Sequence, residues 1–132
     1  MTEFVLDNSV AMRWHLSSEF SGDQRYAEDV LASLAETGAR VPNLWHLEAA
    51  NVLLGAEKRG DTSIGEVEAF MAQLENLPIT VDQSTANKSF TRIMALARAY
   101  KLSSYDAAYL ELAIRERLPL ATLDIDLVRA AK

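Results

Sequence analysis

Phe4-Val5-Leu6-Asp7-Asn8-Ser9-Val10-Ala11 begins with a short apolar run, stops at an acid and passes into helical spacing that continues to Leu16. A run of this kind reads as a buried strand that hands the chain to a helix. The pattern returns near the other end, where Leu120-Ala121-Thr122-Leu123 meets Asp124 and a final short helix follows. Between them, residues 23 to 37 read as a helix, with Tyr26, Val30, Leu31 and Leu34 on one face and Gly38 where a C-terminal cap belongs. Ala39-Arg40-Val41 is a short strand ending at Pro42, and Asn43 can cap a helix from Leu44 to Arg59 that Gly60 ends. Ser63 and Glu66 form a capping box for the next helix, to about Leu77, which Pro78 breaks before the strand Ile79-Thr80-Val81. Asp82 or Ser84 starts a helix to about Lys101, and Ser103 opens another that reaches Arg117 before Pro119 interrupts it. Strands alternating with helices of this length pair in parallel through right-handed crossovers. The expected fold is therefore α/β: a three-layer α/β/α domain with a short parallel sheet flanked by helices. Ligands of such folds sit beyond the carboxyl ends of the strands.

The 132 residues match one domain, 1–132, which buries roughly two-thirds of the surface its unfolded form exposes. An apolar share of 49% with 24% charged residues excludes a disordered or fibrous chain. The opening residues lack a basic stretch ahead of their apolar run, and no apolar run nears the roughly 20 residues of a membrane span, so a cytoplasmic location is expected. The absence of cysteine removes disulfides, thiolate zinc sites and cysteine nucleophiles together. A net charge of -6 argues at first against a nucleic-acid partner. Setting aside Asp7, Glu48, Asp106, Asp124 and Asp126, however, leaves 19 − 5 = 14 acids against 13 bases. The imbalance could then belong to one site, where bound divalent cations offset it.

Asp7 and Asp124 each follow an apolar strand, which in a parallel sheet puts both side chains on one edge. Glu48 is the only charged residue in Leu44-Trp45-His46-Leu47-Glu48-Ala49-Ala50-Asn51-Val52-Leu53-Leu54-Gly55-Ala56, and a carboxylate buried there needs a partner. Asp106 stands at the start of the apolar helical segment Tyr105-Asp106-Ala107-Ala108-Tyr109-Leu110. Each also has a plain structural reading: Ser103 to Asp106 looks like a capping box, Asp124 could cap the last helix, Asp7 the first, and Glu48 could be a solvated or arginine-paired acid. Taken together the acids say more. Two like charges about 4 Å apart repel by about 4 kcal/mol at an effective dielectric of about 20, and a divalent ion reverses that sign. Carboxylates without Cys and without a suitable His pair suit Mg2+ or Mn2+ rather than zinc. Such ions polarise a phosphate and generate a water nucleophile for in-line displacement.

With Phe4 to Ala11, the helical Glu48, Leu102-Ser103-Ser104-Tyr105-Asp106-Ala107-Ala108-Tyr109-Leu110-Glu111-Leu112-Ala113 and Leu120 to Asp124, the chain resembles PIN-domain ribonucleases, most closely VapC-type toxins of toxin/antitoxin pairs. The likeness spans the whole chain as a single PIN domain, its four blocks in the family's order and spacing. It implies that Asp7, Glu48, Asp106 and Asp124 are the catalytic acids and hold one or two Mg2+ or Mn2+ ions. Ser9 and Thr122 match supporting hydroxyl positions, while Asp126 adds an outer acid or only favours the N-terminus of the last helix. It further implies endonucleolytic cleavage of single-stranded or loop RNA, commonly in a structured RNA such as tRNA. A VapB-like antitoxin segment threaded over the active site, and a homodimer, are the implied partners.

Other residues carry less. His46-Leu47-Glu48 lacks the cysteines of a zinc deaminase, so His46 is expected to pack or bond near the core, as is His15. Trp14, Trp45, Tyr105 and Tyr109 could stack on bases, but their helical positions favour core or dimer packing. Arg13, Lys58, Arg59, Arg92, Arg98, Lys101 and Arg129 are candidate phosphate contacts. Two rival functions remain. A phospho-accepting receiver domain would want an acidic pair after the first strand, where Asn8 and Ser9 stand, and a lysine after a late one, where Asp124 stands. A PIN-like module that binds RNA or protein without cutting would share the fold.

Overall fold

The structure is a computed structural model that describes residues 3–17 and 20–131; Met1 and Thr2, part of the opening read above, lie outside them. Strands β1 (Phe4–Leu6), β2 (Ala39–Pro42), β3 (Ile79–Asp82) and β4 (Leu120–Ala121) form one sheet in the order β3-β2-β1-β4. Every pairing is parallel: Phe4 faces Ala39, Val5 faces Leu120, and Ala39 faces Ile79. The chain steps outward from β1 through β2 to β3, then returns across the sheet to β4. This reversal makes the gap between β1 and β4 the switch point, where open α/β sheets bind ligands. It also differs from the 2-1-3-4-5 order of receiver-like folds.

All of β1 is buried, as a central strand covered on both faces requires. Helices α1 (Asn8–Ala11), α2 (Ser21–Ser33), α3 (Trp45–Arg59) and α4 (Ile64–Glu75) occupy the outward journey. Next come α5 (Thr85–Lys88), α6 (Met94–Tyr100), α7 (Ser104–Glu116) and α8 (Ile125–Ala130). Helix α7 is the central one: Ala107 to Ala113 are all buried, and the helix packs on β1 and β2. Helix α3 buries Trp45, Ala49, Leu53 and Ala56, a stripe at helical spacing, and leaves Leu47 and Leu54 exposed. No helix among the described residues is long and apolar enough to cross a membrane.

Local signals hold where they are self-contained. The Ser63–Glu66 capping box forms in both directions, and Gly60 ends α3 in the left-handed region at φ 79°. They fail where tertiary contacts intervene. The first helix tightens into a 3-10 turn over Met12–Trp14, and the expected helix from Asp82 or Ser84 to Lys101 contains a π-helical stretch over Ser89–Ile93. Helix α2 stops at Ser33; Ala27 and the C-cap Leu34 are buried, while Tyr26 and Leu31 stay partly exposed. Gly38 caps nothing: a Cβ there would meet Pro78 O at 3.2 Å, so the glycine serves the close approach of β2 to the turn before β3. Leu44, not Asn43, is the N-cap of α3, and the Asn43 N–H donates to Thr85 Oγ1. The left-handed ends of α6 and α7 fall on Lys101 and Arg117, both at φ 57°, where no glycine advertised them.

Candidate active site

The four expected acids lie at or beyond the carboxyl ends of strands or in first helical turns: Asp7 directly after β1, Asp124 beyond β4 at the N-cap of α8, Glu48 in the first turn of α3 and Asp106 in the first turn of α7. Asp7 leaves β1, and its N–H donates to Ala121 O at 3.0 Å, continuing the β1–β4 ladder to the strand ends. Its side chain is buried and makes no cap bond to α1. Instead Oδ2 accepts from Ser9 Oγ and from Thr122 Oγ1, each at 2.7 Å. The Leu123 N–H donates to Ser9 Oγ at 2.8 Å, and the Asp124 N–H donates to Thr122 Oγ1 at 3.0 Å. This network explains why β4 ends at Ala121 instead of running to Leu123: the next backbone groups bond hydroxyls, not strands. Ser9 and Thr122 thus support Asp7 and join β1 to the segment that carries Asp124.

Asp124 is the N-cap of α8. Its Oδ1 accepts from the N–H groups of Asp126 and Leu127 at 2.9 and 3.2 Å, the expected cap of α8. At Ser103 the hydroxyl accepts from the Asp106 N–H at 3.1 Å, and the Asp106 carboxylate takes no part in the cap. Asp126 is exposed and lies 3.8 Å from Arg129, so it is an outer member at most. Glu48 lies in the first turn of α3, nearer a terminus than its sequence surroundings suggest, and is half-buried. Its Oε1 accepts from the Tyr109 hydroxyl at 2.6 Å and from Asn8 Nδ2 at 3.4 Å.

The electrostatics show that these acids share a region. Burial pushes the Asp106 pKa up to about 6, and Asp124, Asp7, Glu48 and Asp126 all add to that rise. Burial likewise raises Asp7, opposed by Thr122 and Ser9 and reinforced by Asp124. Glu48 is raised by burial and by Asp7, against the hydrogen bonds from Tyr109 and Asn8. Every shift favours the neutral form, as expected where like charges meet without a cation. The carboxylates nevertheless stand apart: among the described residues no three acid or histidine side chains are grouped to hold an ion.

The donor set still fits a hard divalent cation in kind, being carboxylate oxygen with neither thiolate nor imidazole. His46 is exposed on α3 because its neighbour Trp45 takes the inward position, yet its ring meets that core indole edge-on at 5.0 Å. His15 does pack, stacked on Phe70 at 4.8 Å and bonded to Thr62 at 2.8 Å. Trp45 and Tyr109 are core residues, Trp14 donates to Ala27 O at 2.7 Å, and Tyr105 is 61% exposed beside Asp106. Of the candidate phosphate contacts, Arg59 pairs with Asp61, Arg92 with Glu111 and Arg129 with Asp126. Sequence reading assigned no role at the site to Asn8 or Tyr109. An Asn directly after Asp7, and a Tyr one helical turn beyond Asp106, were the available signals.

A parallel α/β sheet with acids around its switch point is the frame of a nuclease-like domain. The PIN domain profile matches residues 4–132, and the chain belongs to the PIN-domain family. Members are generally metal-dependent nucleases that act on RNA, and they typically bind Mg2+ or Mn2+. Among solved structures, the chain is similar to the crystal structure of PAE2754 from Pyrobaculum aerophilum, at 18% identity and a TM-score of 0.71. That similarity covers 99% of this chain and 81% of the other, and it concerns the fold. No curated protein matches the chain.

Proposed function

We propose that the chain is a Mg2+- or Mn2+-dependent endoribonuclease of the VapC toxin kind. The observation that carries this reading is the hydrogen-bonded junction at the ends of β1 and β4, where Ser9 and Thr122 both donate to Asp7 Oδ2 and Thr122 Oγ1 accepts from the Asp124 N–H; burial, reinforced by Asp124, Asp7, Glu48 and Asp126, raises the Asp106 carboxyl to about 6. Asp7, Glu48, Asp106 and Asp124 would hold the ion or ions, with Ser9 and Thr122 fixing Asp7 from one side. A bound metal would supply polarisation of the phosphate and would lower the pKa of water enough to give a hydroxide nucleophile. The protein's own part is positional. Hydroxyl bonds orient Asp7, the cap bonds orient Asp124, and burial raises the electrostatic value of every charge in the cleft. RNA is the proposed substrate, in a single-stranded or loop segment of a structured RNA such as tRNA. A VapB-like antitoxin and a second copy of the chain are proposed as protein partners, and a cytoplasmic location goes with these roles. Exposed Leu47, Leu54 and Tyr105 near Glu48 support an apolar partner surface.

The test is cleavage of total cellular RNA by antitoxin-free protein with Mg2+ or Mn2+, with and without a chelator. Discrete fragments that vanish on chelation are expected. Binding of RNA or of a partner protein with no cleavage in either metal would favour the non-cutting PIN module instead.

A further inference from the structure

Glu48 is held differently from the other cleft acids, and the residues that hold it come from their elements. Tyr109 stands on α7, three residues beyond Asp106, and is fully buried. Asn8 is the first residue of α1, directly after Asp7, and is also buried. The Tyr109 hydroxyl donates to Glu48 Oε1 at 2.6 Å, a charge-assisted length. The same hydroxyl accepts from Asn8 Nδ2 at 3.2 Å, and Asn8 Nδ2 also donates to the backbone carbonyl of Trp45 at 3.0 Å. Because that carbonyl can only accept, it fixes the amide with its nitrogen toward α3. Asn8 and Tyr109 together form a neutral brace joining α1, α3 and α7.

The brace acts on one oxygen only. Oε1 receives the Tyr109 hydroxyl and the longer 3.4 Å contact from Asn8, whereas Oε2 has no hydrogen-bond partner among the described residues. A phenol keeps its proton throughout the neutral range, so the Tyr109 hydroxyl is a standing donor to the carboxylate. Resting on the proposed metal-dependent function, we infer that Tyr109 and Asn8 are positioning residues that occupy Glu48 Oε1 and present Oε2 as the oxygen for a divalent cation. Two effects of losing the brace oppose each other. Removing the donor makes the carboxylate more basic, but it also releases a side chain with three torsions that the ion must then order. Outer partners of metal ligands usually raise affinity on balance, which decides the expected sign.

Tyr109→Phe keeps the buried ring and deletes only the hydroxyl. Mn2+ affinity, followed by titration calorimetry or by the electron-spin signal of free Mn2+, is expected to fall about 10-fold, within the range for lost outer partners. Asn8→Ala, which removes the longer contact, should give a smaller loss. Leu112→Val on the same helix is the control for instability: it should lower the metal-free unfolding midpoint and leave Mn2+ affinity at the wild-type value. Wild-type affinity in Tyr109→Phe, or an equal loss in Leu112→Val, would overturn the positioning role while leaving the metal reading intact. Wild-type protein that takes up no Mn2+ would instead remove the metal reading, and this inference with it.

Discussion

Three acids lie at or just beyond the carboxyl ends of strands, and they meet opposite fates. Asp7 and Asp124 follow β1 and β4, and Asp82 is the last residue of β3. Asp82 is gripped by Arg115, with Nη1 donating to Oδ1 at 3.2 Å and Nη2 to Oδ2 at 2.8 Å. The same guanidinium holds Glu111, itself only 1% exposed, at 2.9 Å through Nε and 3.0 Å through Nη2. The Arg115 bonds hold the Asp82 carboxyl below its usual range, while burial and mutual repulsion raise Asp7, Glu48 and Asp106. Position at a strand end therefore does not make a site. What distinguishes the cleft acids is that hydroxyls, backbone amides and a phenol fix them in place without neutralising them. The protein supplies its own cation to Asp82 and Glu111, through Arg115, and the proposed metal would play that part for the other acids.

The sharpest way to break this comparison is to neutralise a cleft acid. Asp7→Asn should lose more RNA cleavage than the roughly 100-fold that removal of an outer partner can cost. Its metal-free stability should be unchanged or higher, because the folded state already favours the neutral form of Asp7. Denaturant unfolding beside a cleavage assay reads both quantities. A large stability loss would place Asp7 with Asp82, as a structural acid. The converse substitution is Arg115→Met, which leaves Glu111 buried with only the 3.6 Å contact to Arg92. Stripping one partner from a buried ion pair costs about 3 kcal/mol, so the unfolding midpoint should drop sharply while the folded variant still cleaves RNA. An unchanged midpoint would show that the arginine cluster does not brace the fold.

How much of this contrast the sequence reveals depends on how far apart the partners lie. The strand-end positions of Asp7 and Asp124 are legible because an apolar run stopping at an acid is a local pattern, and Ser63 with Glu66 is legible for the same reason. The identical pattern in Ile79-Thr80-Val81-Asp82 marks an acid that Arg115 neutralises from 33 residues away, a pairing no periodicity announces. Tyr109 has a similar history. Its spacing on α7 identifies a core residue, which it is, but only the folded structure shows its hydroxyl reaching Glu48 across 61 residues. Thr122 and Leu123 have strand propensity, yet β4 ends before them at Ala121. Their bonds to Asp7 and Ser9, more than 110 residues distant, take precedence.

The smallest expected effect is also the one that compares the two regions in a single experiment, the pH dependence of unfolding without metal. Asp106 titrates near 6 in the folded protein against an ordinary 3.8, so the native state binds more protons than the unfolded chain between those values. Its favourable contribution is complete below pH 3.8 and disappears as pH rises through about 6. Asp82 has the opposite sign: its contribution is present above 3.8 and is lost only as pH falls through its lowered folded value. Between pH 4 and 6, roughly, Asp82 is already near full strength while the cleft is losing stability, and the net slope from these groups should be downward with rising pH. Asp106→Asn should flatten that slope without abolishing it, since Asp7 and Glu48 are raised as well. Saturating Mn2+ should reverse it, because a cation binds the ionised carboxylates and its affinity grows as they lose protons. Urea unfolding across this window, repeated with chelator and with Mn2+, measures each slope. Equal slopes in wild type and Asp106→Asn would mean that Asp106 does not share the cleft's charge, and the contrast with Asp82 would then rest on Asp7 and Glu48 alone.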